Sequence, residues 1–413
     1  MNREIECLIL GSGIGSLTCG TTLAQRGWRV LLLCNRLPEE TFSWSQDGFH
    51  HDRSPELYWG LEEDGFLRRF LGSHGIGPEA VRLQPGVQVV LPRHRLDFYG
   101  FGPDWERELR REFPRSWRSI LTCWKRLSDL HRAIWRQTEA DVRGIRSWVP
   151  PRIIGRRRLR GFLLRFGLEL PFCHMVEAVS AACFHVEPWQ TTVAMATQAF
   201  GHTQRGFFAL RDGAKGLAEQ LTSRFQGLGG EIRLGWVREI RTRWGKVDGV
   251  RTADGEEVDC RYLVLEPELT PGNRILHLLV DEILIPGEMR QNVLVVETDP
   301  LETGPMALLQ LALGSVGNTD DPLRQKQSVA VRVLQAPRED PMTLLERAFP
   351  GWARAKVYSA PTLGEPTESL LPSRRWRRPR NLLVISHENP VGRGLSAAAL
   401  SGHQLAVRLL SRP

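Results

Sequence analysis

Residues 8–36 constrain the fold of this chain more than any other part of it, and they read LILGSGIGSLTCGTTLAQRGWRVLLLCNR. An apolar run leads into closely spaced glycines, a helical stretch that ends at Gly27, and a second apolar run. Continuous apolar runs of this length are typical of strands that are buried on both faces of a parallel sheet. The order of strand, glycine turn, helix and strand therefore predicts a right-handed βαβ unit that opens an α/β fold.

The glycine spacing predicts that this unit binds a dinucleotide. Gly11 allows the tight turn out of the first strand, and Gly13 leaves room for a pyrophosphate. Gly15 is followed by Ser16 at the third position of the motif, where serine is still small enough for close packing. The N–H groups at the start of the helix can bind phosphate. The sequence leaves open a second interpretation, a βαβ unit that binds nothing.

The end of the second strand departs from the usual dinucleotide pattern. An acid commonly stands there and accepts hydrogen bonds from the ribose hydroxyls, but this chain has Cys34. We interpret Cys34 as a small buried residue rather than a reactive thiol. Asn35 and Arg36 follow, and an arginine at this place would suit the 2′-phosphate of NADPH. A plain loop arginine, or a carboxylate returned to the ribose by Glu39 or Glu40, are the other interpretations.

Three segments carry a wider resemblance. The first is the N-terminal stretch with DGFHHDRSP at 47–55, and the second is 213–265, where a helix, a strand and a hairpin around Asp254-Gly255 are expected. The third is NLLVISHENPVGRGLSAAALSGHQLAVRLL at 381–410. In this order they resemble the superfamily of FAD-dependent amine oxidases, phytoene desaturases and carotenoid isomerases.

The resemblance implies a fold and a set of cofactor contacts. The fold is α/β, with a Rossmann-like FAD-binding domain (GR2-type) into which a second α+β substrate domain is inserted. The FAD-binding domain would comprise residues 1–95, 205–265 and 371–413, and the second domain 96–204 and 266–370. The residues expected to contact FAD are Gly11, Gly13, Gly15, Ser16, Cys34, Asn35, Arg36, Val237 (through its main chain), Gly392, Gly394, Ser396 and Ala397.

Other positions depart from the superfamily's pattern. Where Pro-Gly-Gly-Arg usually passes near the flavin, this chain has LPEETFSW, whose two acids would repel a pyrophosphate. VISHEN supplies Ser386 and His387 where the superfamily usually has glycine and an acid or a small residue. GRGLSAAALSG retains small residues that let a flavin ring approach a helix N-terminus, although close helix packing requires the same residues. We therefore expect FAD to be held in an altered, weaker way or to have been lost.

No general base or nucleophile follows from spacing alone. Flavin oxidoreductases often need none, because the ring accepts the hydride, and the polar candidates near the flavin are His387 and Arg393. We expect no metal site, since the adjacent His50 and His51 would point to opposite faces of a strand. The seven cysteines form no C-x-x-C pair, so we expect reduced, mostly buried thiols.

The net charge of +8 is concentrated in one segment, because residues 105–165 contain 17 Lys and Arg against 6 Asp and Glu. A solvated basic helix face is the first interpretation, and adsorption to an anionic membrane surface is the second. Nucleic acid is the least favoured partner, since no recognised binding module accompanies the charge. One helix face is expected to be apolar and to consist of Ile120, Trp124, Leu127, His131 and Ile134.

These observations favour an FAD-dependent oxidoreductase, or a redox-assisted isomerase, that acts on a lipophilic or amine-bearing small molecule. The alternative is a non-catalytic relative that has lost FAD and serves as a binding or scaffold partner, and an NADPH-linked reductase ranks third. No apolar run is long enough to span a bilayer, and no secretory signal is recognisable. We therefore expect a cytoplasmic protein, with peripheral attachment to the inner face of a membrane as the alternative.

Overall fold

The computed structural model describes residues 5–53, 56–100, 102–142, 157–267, 274–298, 307–316, 325–337, 339–360, 379–385 and 392–411. Its α-helices are α1 (Ile14–Ala24), α2 (Phe66–Ser73), α3 (Pro103–Glu112), α4 (Trp117–Val142), α5 (Leu159–Leu164), α6 (Leu170–Phe184), α7 (Val193–Arg205), α8 (Gly213–Gly227), α9 (Pro341–Ala348) and α10 (Leu395–Leu410). Its strands are β1 (Ile5–Leu10), β2 (Val30–Cys34), β3 (Ser43–Gln46), β4 (Phe49–Asp52), β5 (Ala80–Arg82), β6 (Val87–Leu91), β7 (His94–Phe98), β8 (Phe208–Leu210), β9 (Glu231–Leu234), β10 (Val237–Arg243), β11 (Lys246–Thr252), β12 (Glu257–Leu265), β13 (Ile275–Asp281), β14 (Asn292–Glu297), β15 (Ala307–Val316), β16 (Lys326–Gln335), β17 (Lys356–Tyr358) and β18 (Leu382–Val384).

The first sheet contains the predicted βαβ unit. Its strand order among the described residues is β10-β11-β12-β1-β2-β9, and β18 pairs in parallel with β12. β1 lies between β2 and β12 and is parallel to both. The carboxyl ends of these three strands therefore meet at one edge of the sheet, which is also the edge where α1 begins.

Helix α1 is buried along its whole length, because the sheet covers one side and α8 and α10 pack on the others. A Cβ atom at Gly20 would come within 3.0 Å of both Leu32 and Phe225. A Cβ atom at Gly402 in α10 would overlap the carbonyl oxygen of Gly15. The small residues of both helices thus allow their main chains to approach closely.

The second sheet has the strand order β17-β13-β16-β15-β14-β6-β7 among the described residues and is mostly antiparallel. Helix α9 and the turn after it cover one face through Leu345, Phe349 and Trp352. Helix α6 lies against β6 and β14 on the other face. The two-sheet arrangement confirms the predicted fold class of a Rossmann-like domain with a second domain. The domain boundaries stay a prediction. Strands β6 and β7 pair in the second sheet, although the prediction placed residues 1–95 in the FAD-binding domain.

The predicted apolar face of α4 is confirmed within the described residues. Ile120, Trp124, Leu127 and His131 are all buried, whereas the side chain of Ile134 lies outside the described part of the chain. The Trp124 ring packs against Phe200 of α7, with ring centroids 4.2 Å apart.

Part of the positive charge of 105–165 is neutralised by neighbouring acids. Arg107, Arg110 and Arg111 of α3 each form an ion pair within that helix, and residues 143–156 lie outside the described residues. Exposed pairs of this kind contribute little stability, but they lower the local potential. None of the helices in the described ranges combines the length and apolar character needed to cross a membrane.

Candidate dinucleotide-binding site

The turn between β1 and α1 has the geometry of a phosphate-binding loop. Gly11 adopts φ +142°, a backbone conformation that favours glycine, and Gly13 is the extended residue at the N-terminus of α1. Because Gly13 has no side chain, the main chain stays open to a ligand at this position. The first N–H groups of α1 have no partner within the helix and so face the carboxyl edge of the sheet.

An acidic side chain reaches this turn from a distant part of the chain. Glu266 follows the last residue of β12, and its N–H donates to the carbonyl oxygen of Leu10 at 2.9 Å. Its Oε1 accepts a hydrogen bond from the Gly15 N–H at 3.1 Å, and its Oε2 accepts one from the Ser16 N–H at 2.8 Å. Only 3% of the residue is exposed. A buried carboxylate therefore binds the N–H groups that a dinucleotide phosphate would use.

Glu266 also fills the space that the glycines leave open. A Cβ atom at Gly13 would lie 2.5 Å from Oε1 of Glu266, and one at Gly15 would lie 2.7 Å from the same oxygen. The Ser16 hydroxyl is buried beside Gly11 and has no hydrogen-bond partner among the described residues. Glu266 is not among the residues predicted from the sequence, where its signal is an acid placed directly after an apolar strand in LVLEPE.

The residues after β2 lie at the same edge of the sheet. Cys34 is the last residue of β2, is buried, and donates a weak hydrogen bond to the carbonyl oxygen of Arg233 at 3.8 Å. Burial raises the pKa of the Cys34 thiol to about 11. Asn35 and Arg36 are half-buried, and Val237 starts β10, where it pairs with Thr252. Their roles toward a cofactor stay predictions.

The thiols of the folded protein should react slowly with a disulfide reagent such as DTNB. All seven cysteines are free and buried, and burial raises the pKa of Cys123 and of Cys173 to about 12. Near pH ~7 almost none of the Cys34, Cys123 and Cys173 thiols is ionised, and the thiolate is the reactive form. We expect less than one thiol to react within minutes in the native protein and all seven in guanidinium chloride. Rapid labelling that a Cys34→Ser variant abolishes would contradict a purely structural role for Cys34.

The C-terminal small residues bring α10 to the same region as α1. A Cβ atom at Gly15 would lie 3.1 Å from the carbonyl oxygen of Ala398. The Ser396 hydroxyl accepts a hydrogen bond from the Trp59 N–H at 3.2 Å, and Ala397 is buried.

The G-R-G turn before α10 packs on side chains of other segments. A Cβ atom at Gly392 would lie 3.2 Å from the Trp59 ring, and one at Gly394, where φ is +83°, would meet Glu56. Arg393 donates to the carbonyl oxygen of His185 at 3.3 Å, and burial lowers its pKa. The other polar candidate, His387, lies outside the described residues.

A buried aromatic–histidine cluster lies between the β3–β4 hairpin and the second sheet, and it consists of Trp44, His51, His277 and Tyr358. Trp44 stacks on His51 with ring centroids 4.5 Å apart, and His277 meets Trp44 edge-on at 5.3 Å. Trp44 Nε1, His51 Nε2 and both ring nitrogens of His277 lack hydrogen-bond partners among the described residues. Buried polar atoms without partners are rare and often indicate a ligand or ordered water.

The stability of the folded chain should fall between about pH 6.5 and about pH 4, partly because of His277. Burial, followed by His51 and Arg53, lowers the pKa of His277 to about 4. The unfolded chain binds this proton below about pH 6.5, so acid favours unfolding, and going from pH ~7 to pH ~5 removes about 2 kcal/mol through His277. Denaturant unfolding at both pH values should show a decrease that is smaller by this amount in His277→Leu. The exposed His50→Leu variant is the control, and an equal decrease in all three proteins would refute the assignment.

No group of three or more His, Cys, Asp or Glu side chains that could hold a metal ion occurs in the part of the chain that the structure describes.

Comparison with known proteins shows which proteins this chain resembles. The family model of NAD(P)-binding Rossmann-like domains matches residues 9–73. A prolycopene isomerase from Daucus carota is 24% identical over 298 residues, which are 64% of this chain and 46% of the isomerase. A second prolycopene isomerase, from Arabidopsis thaliana, is matched over 47% of its length, so the chain spans less than half of these curated relatives.

Solved structures share the fold over nearly the whole chain. An oxidoreductase from Methanosarcina mazei has a TM-score of 0.66 at 14% identity, with 98% of this chain and 100% of the other covered. Putrescine oxidase has a TM-score of 0.65 at 12% identity, covering 99% and 100%. A Rab GDI from Plasmodium falciparum has a TM-score of 0.57 at 12% identity, covering 100% and 99%.

The chain thus combines a Rossmann-like domain, which carries the glycine-rich turn, with a second sheet. More particularly, the chain shares its fold with putrescine oxidase and is similar in sequence to prolycopene isomerases, and the predicted resemblance to that superfamily is confirmed.

Proposed function

We propose that this protein catalyses FAD-dependent redox chemistry, or redox-assisted isomerisation, on a lipophilic or amine-bearing small molecule. The observation that carries the proposal is the joint position of the glycine-rich turn and α10. Gly15 of the turn lies against Ala398 of α10, so both FAD-binding segments implied by the sequence meet at one place. The similarity to a prolycopene isomerase and to putrescine oxidase supports the reaction class.

The residues of the site fit a dinucleotide on one condition. The glycines of the turn leave a cradle for phosphate, but the Glu266 carboxylate must first leave that cradle. FAD, when bound, would accept electrons from the substrate or return them to it. Because Glu266 competes for the site and Cys34 cannot replace a ribose-binding acid, we propose that FAD is held weakly.

The residues of the chain would bind and orient the substrate. Its polar group would meet the aromatic–histidine cluster, where His277 is neutral near pH ~7 because burial lowers its pKa to about 4. A neutral imidazole can accept a hydrogen bond from an amine. The apolar part would lie among the buried side chains around the cluster, and their burial excludes water from the reacting atoms.

The visible absorption spectrum of the purified protein tests this proposal. It should be recorded as purified, after incubation with excess FAD, and after denaturation. We expect flavin peaks near ~370 and ~450 nm at least after incubation, and bleaching of the ~450 nm peak when a substrate amine or polyene is added without oxygen. If excess FAD produces no bound flavin, the proposed chemistry is wrong.

A non-catalytic binding role is the second candidate, and the buried Glu266 in the phosphate cradle favours it. One protein with a similar fold is a Rab GDI, whose name does not describe an oxidoreductase. This similarity supports a binding role. The basic segment 105–165 would then be the contact surface, and the same segment is our proposal for peripheral attachment to an anionic membrane. Flotation with anionic vesicles tests the attachment. The protein must float with the vesicles, and added salt must weaken this binding.

An NADPH-linked reductase with Arg36 at the 2′-phosphate ranks third.

A further inference from the structure

We propose that the carboxylate of Glu266 is an internal competitor of the dinucleotide phosphate. In the free protein it occupies the phosphate position of the glycine-rich turn, and a nucleotide binds only when Glu266 moves away. The choice of FAD as the natural ligand rests on the proposed function, whereas the competition itself concerns any nucleotide with a phosphate group.

The pairing of β12 with β1 places Glu266 over the start of α1. Leu265 pairs with Leu10 in parallel, and the next main-chain hydrogen bond, from Glu266 to Leu10, continues the ladder. The Cα atom of Glu266 is therefore held at the carboxyl edge of the sheet. From there its side chain reaches the N–H groups of Gly15 and Ser16.

The start of α1 attracts an anion, whether it belongs to the protein or to a ligand. Its N–H groups and the positive end of its dipole stabilise a negative charge, whether carboxylate or phosphate. Both oxygens of Glu266 already accept hydrogen bonds from these groups, at 3.1 and 2.8 Å. A phosphate at the same donors would lie within contact distance of the carboxylate and be repelled by it. The two anions therefore exclude each other.

A second observation points to an acceptor at the cradle besides the Glu266 carboxylate. The Ser16 hydroxyl is fully buried, faces Gly11, and has no hydrogen-bond partner among the described residues. Glu266 satisfies the N–H of Ser16 but leaves its hydroxyl without a partner. A phosphate offers additional acceptor oxygens, and one of them can accept a hydrogen bond from the Ser16 hydroxyl.

Binding of ADP and of FAD to matched variants tests the proposal. ADP binding is measured by calorimetry and FAD binding by fluorescence quenching for the unmodified protein and for Glu266→Ala, Glu266→Gln and Glu219→Ala. Glu219 is an exposed acid on α8 and serves as the control. We expect Glu266→Ala to bind ADP at least about 10-fold more tightly than the unmodified protein, with Glu266→Gln in between and Glu219→Ala unchanged. Gly13→Val in the Glu266→Ala background should abolish the gain, since its side chain blocks the phosphate.

The outcomes separate this proposal from the proposed function. Tighter ADP binding by Glu266→Ala without FAD binding in any variant supports the competition and refutes the FAD-dependent function. Equal ADP and FAD affinities in the unmodified protein and Glu266→Ala refute the competition and leave the function standing. Weaker binding by Glu266→Ala refutes it as well, because Glu266 would then be a ligand of the nucleotide, and so does an absence of ADP binding in every variant.

A measurement on the unmodified protein covers the case in which neither Glu266 variant folds. Hydrogen exchange should show the amides of Gly15 and Ser16 protected without any nucleotide, since both donate to a buried carboxylate. Fast exchange of these two amides in the nucleotide-free protein, with protection only after ADP is added, would overturn the proposal.

Discussion

Replacing Arg332 with alanine should lower the free energy of unfolding by about 3 to 5 kcal/mol, because it removes the cation that faces the largely buried carboxylate of Glu56. Arg332 lies on β16, is 4% exposed, and donates to Oε1 of Glu56 at 3.2 Å and to Oε1 of Gln310 at 3.3 Å. Glu56 belongs to the loop after β4, so the pair connects that loop with the second sheet. Burial lowers the pKa of Arg332, which reflects the desolvation that the pair must offset.

Two control variants separate the buried charge from general effects of mutation. The double variant Glu56→Gln with Arg332→Met should recover most of the lost stability, since it removes both members of the ion pair. Arg251→Ala removes an exposed arginine that pairs with Glu257 and Glu239, and it should change stability by less than about 1 kcal/mol. Urea unfolding measures all of these values. Equal losses for Arg332→Ala and Arg251→Ala would show that the buried pair is not strongly coupled.

The second large effect is expected for Gly402→Val in α10, which should lower the free energy of unfolding by about 3 kcal/mol through overpacking. A Cβ atom there overlaps the carbonyl oxygen of Gly15, and a main-chain atom cannot rotate away as a side chain can. Helix α10 would have to move off the start of α1. We therefore also expect weaker ADP binding in any background that binds ADP.

Gly72→Ala in α2 is the matched control for this steric argument. Nothing lies within 4 Å of a Cβ atom at that position. Alanine is the better helix former, so this variant should be about 0.5 to 1 kcal/mol more stable in denaturant unfolding. A similar loss of stability in Gly402→Val and Gly72→Ala would mean that close contact between α1 and α10 is not the reason for the first effect.

Much of the fold could be predicted because its signals are local. The βαβ unit follows from two apolar runs and the glycines between them, and Gly27 indeed adopts φ +79° after the helix. The hairpin predicted at Asp254-Gly255 joins β11 to β12, with Gly255 at φ +91°. Hydrophobic periodicity and the backbone freedom of glycine act over a few residues, so the sequence alone is sufficient to recognise them.

The site could be predicted only in part. The glycine-rich turn lies where its motif indicates, and the small residues of α10 come to it as the superfamily resemblance implies. The departures at Cys34 and in LPEETFSW indicated altered cofactor binding, but Glu266 was not among the predicted site residues. Glu39 and Glu40 belong to a short helical turn, whereas Glu266 makes the contacts with Gly15 and Ser16.

The sequence by itself determined the class of fold, the βαβ unit and the place of the phosphate cradle, because each depends on neighbouring residues. Only the tertiary structure decided what occupies that cradle. Glu266 and Ser16 are 250 positions apart in the chain, and the parallel pairing of β12 with β1 brings them together. A carboxylate and a phosphate satisfy the same N–H groups, so the motif alone cannot distinguish a site that awaits a nucleotide from one that the chain fills itself.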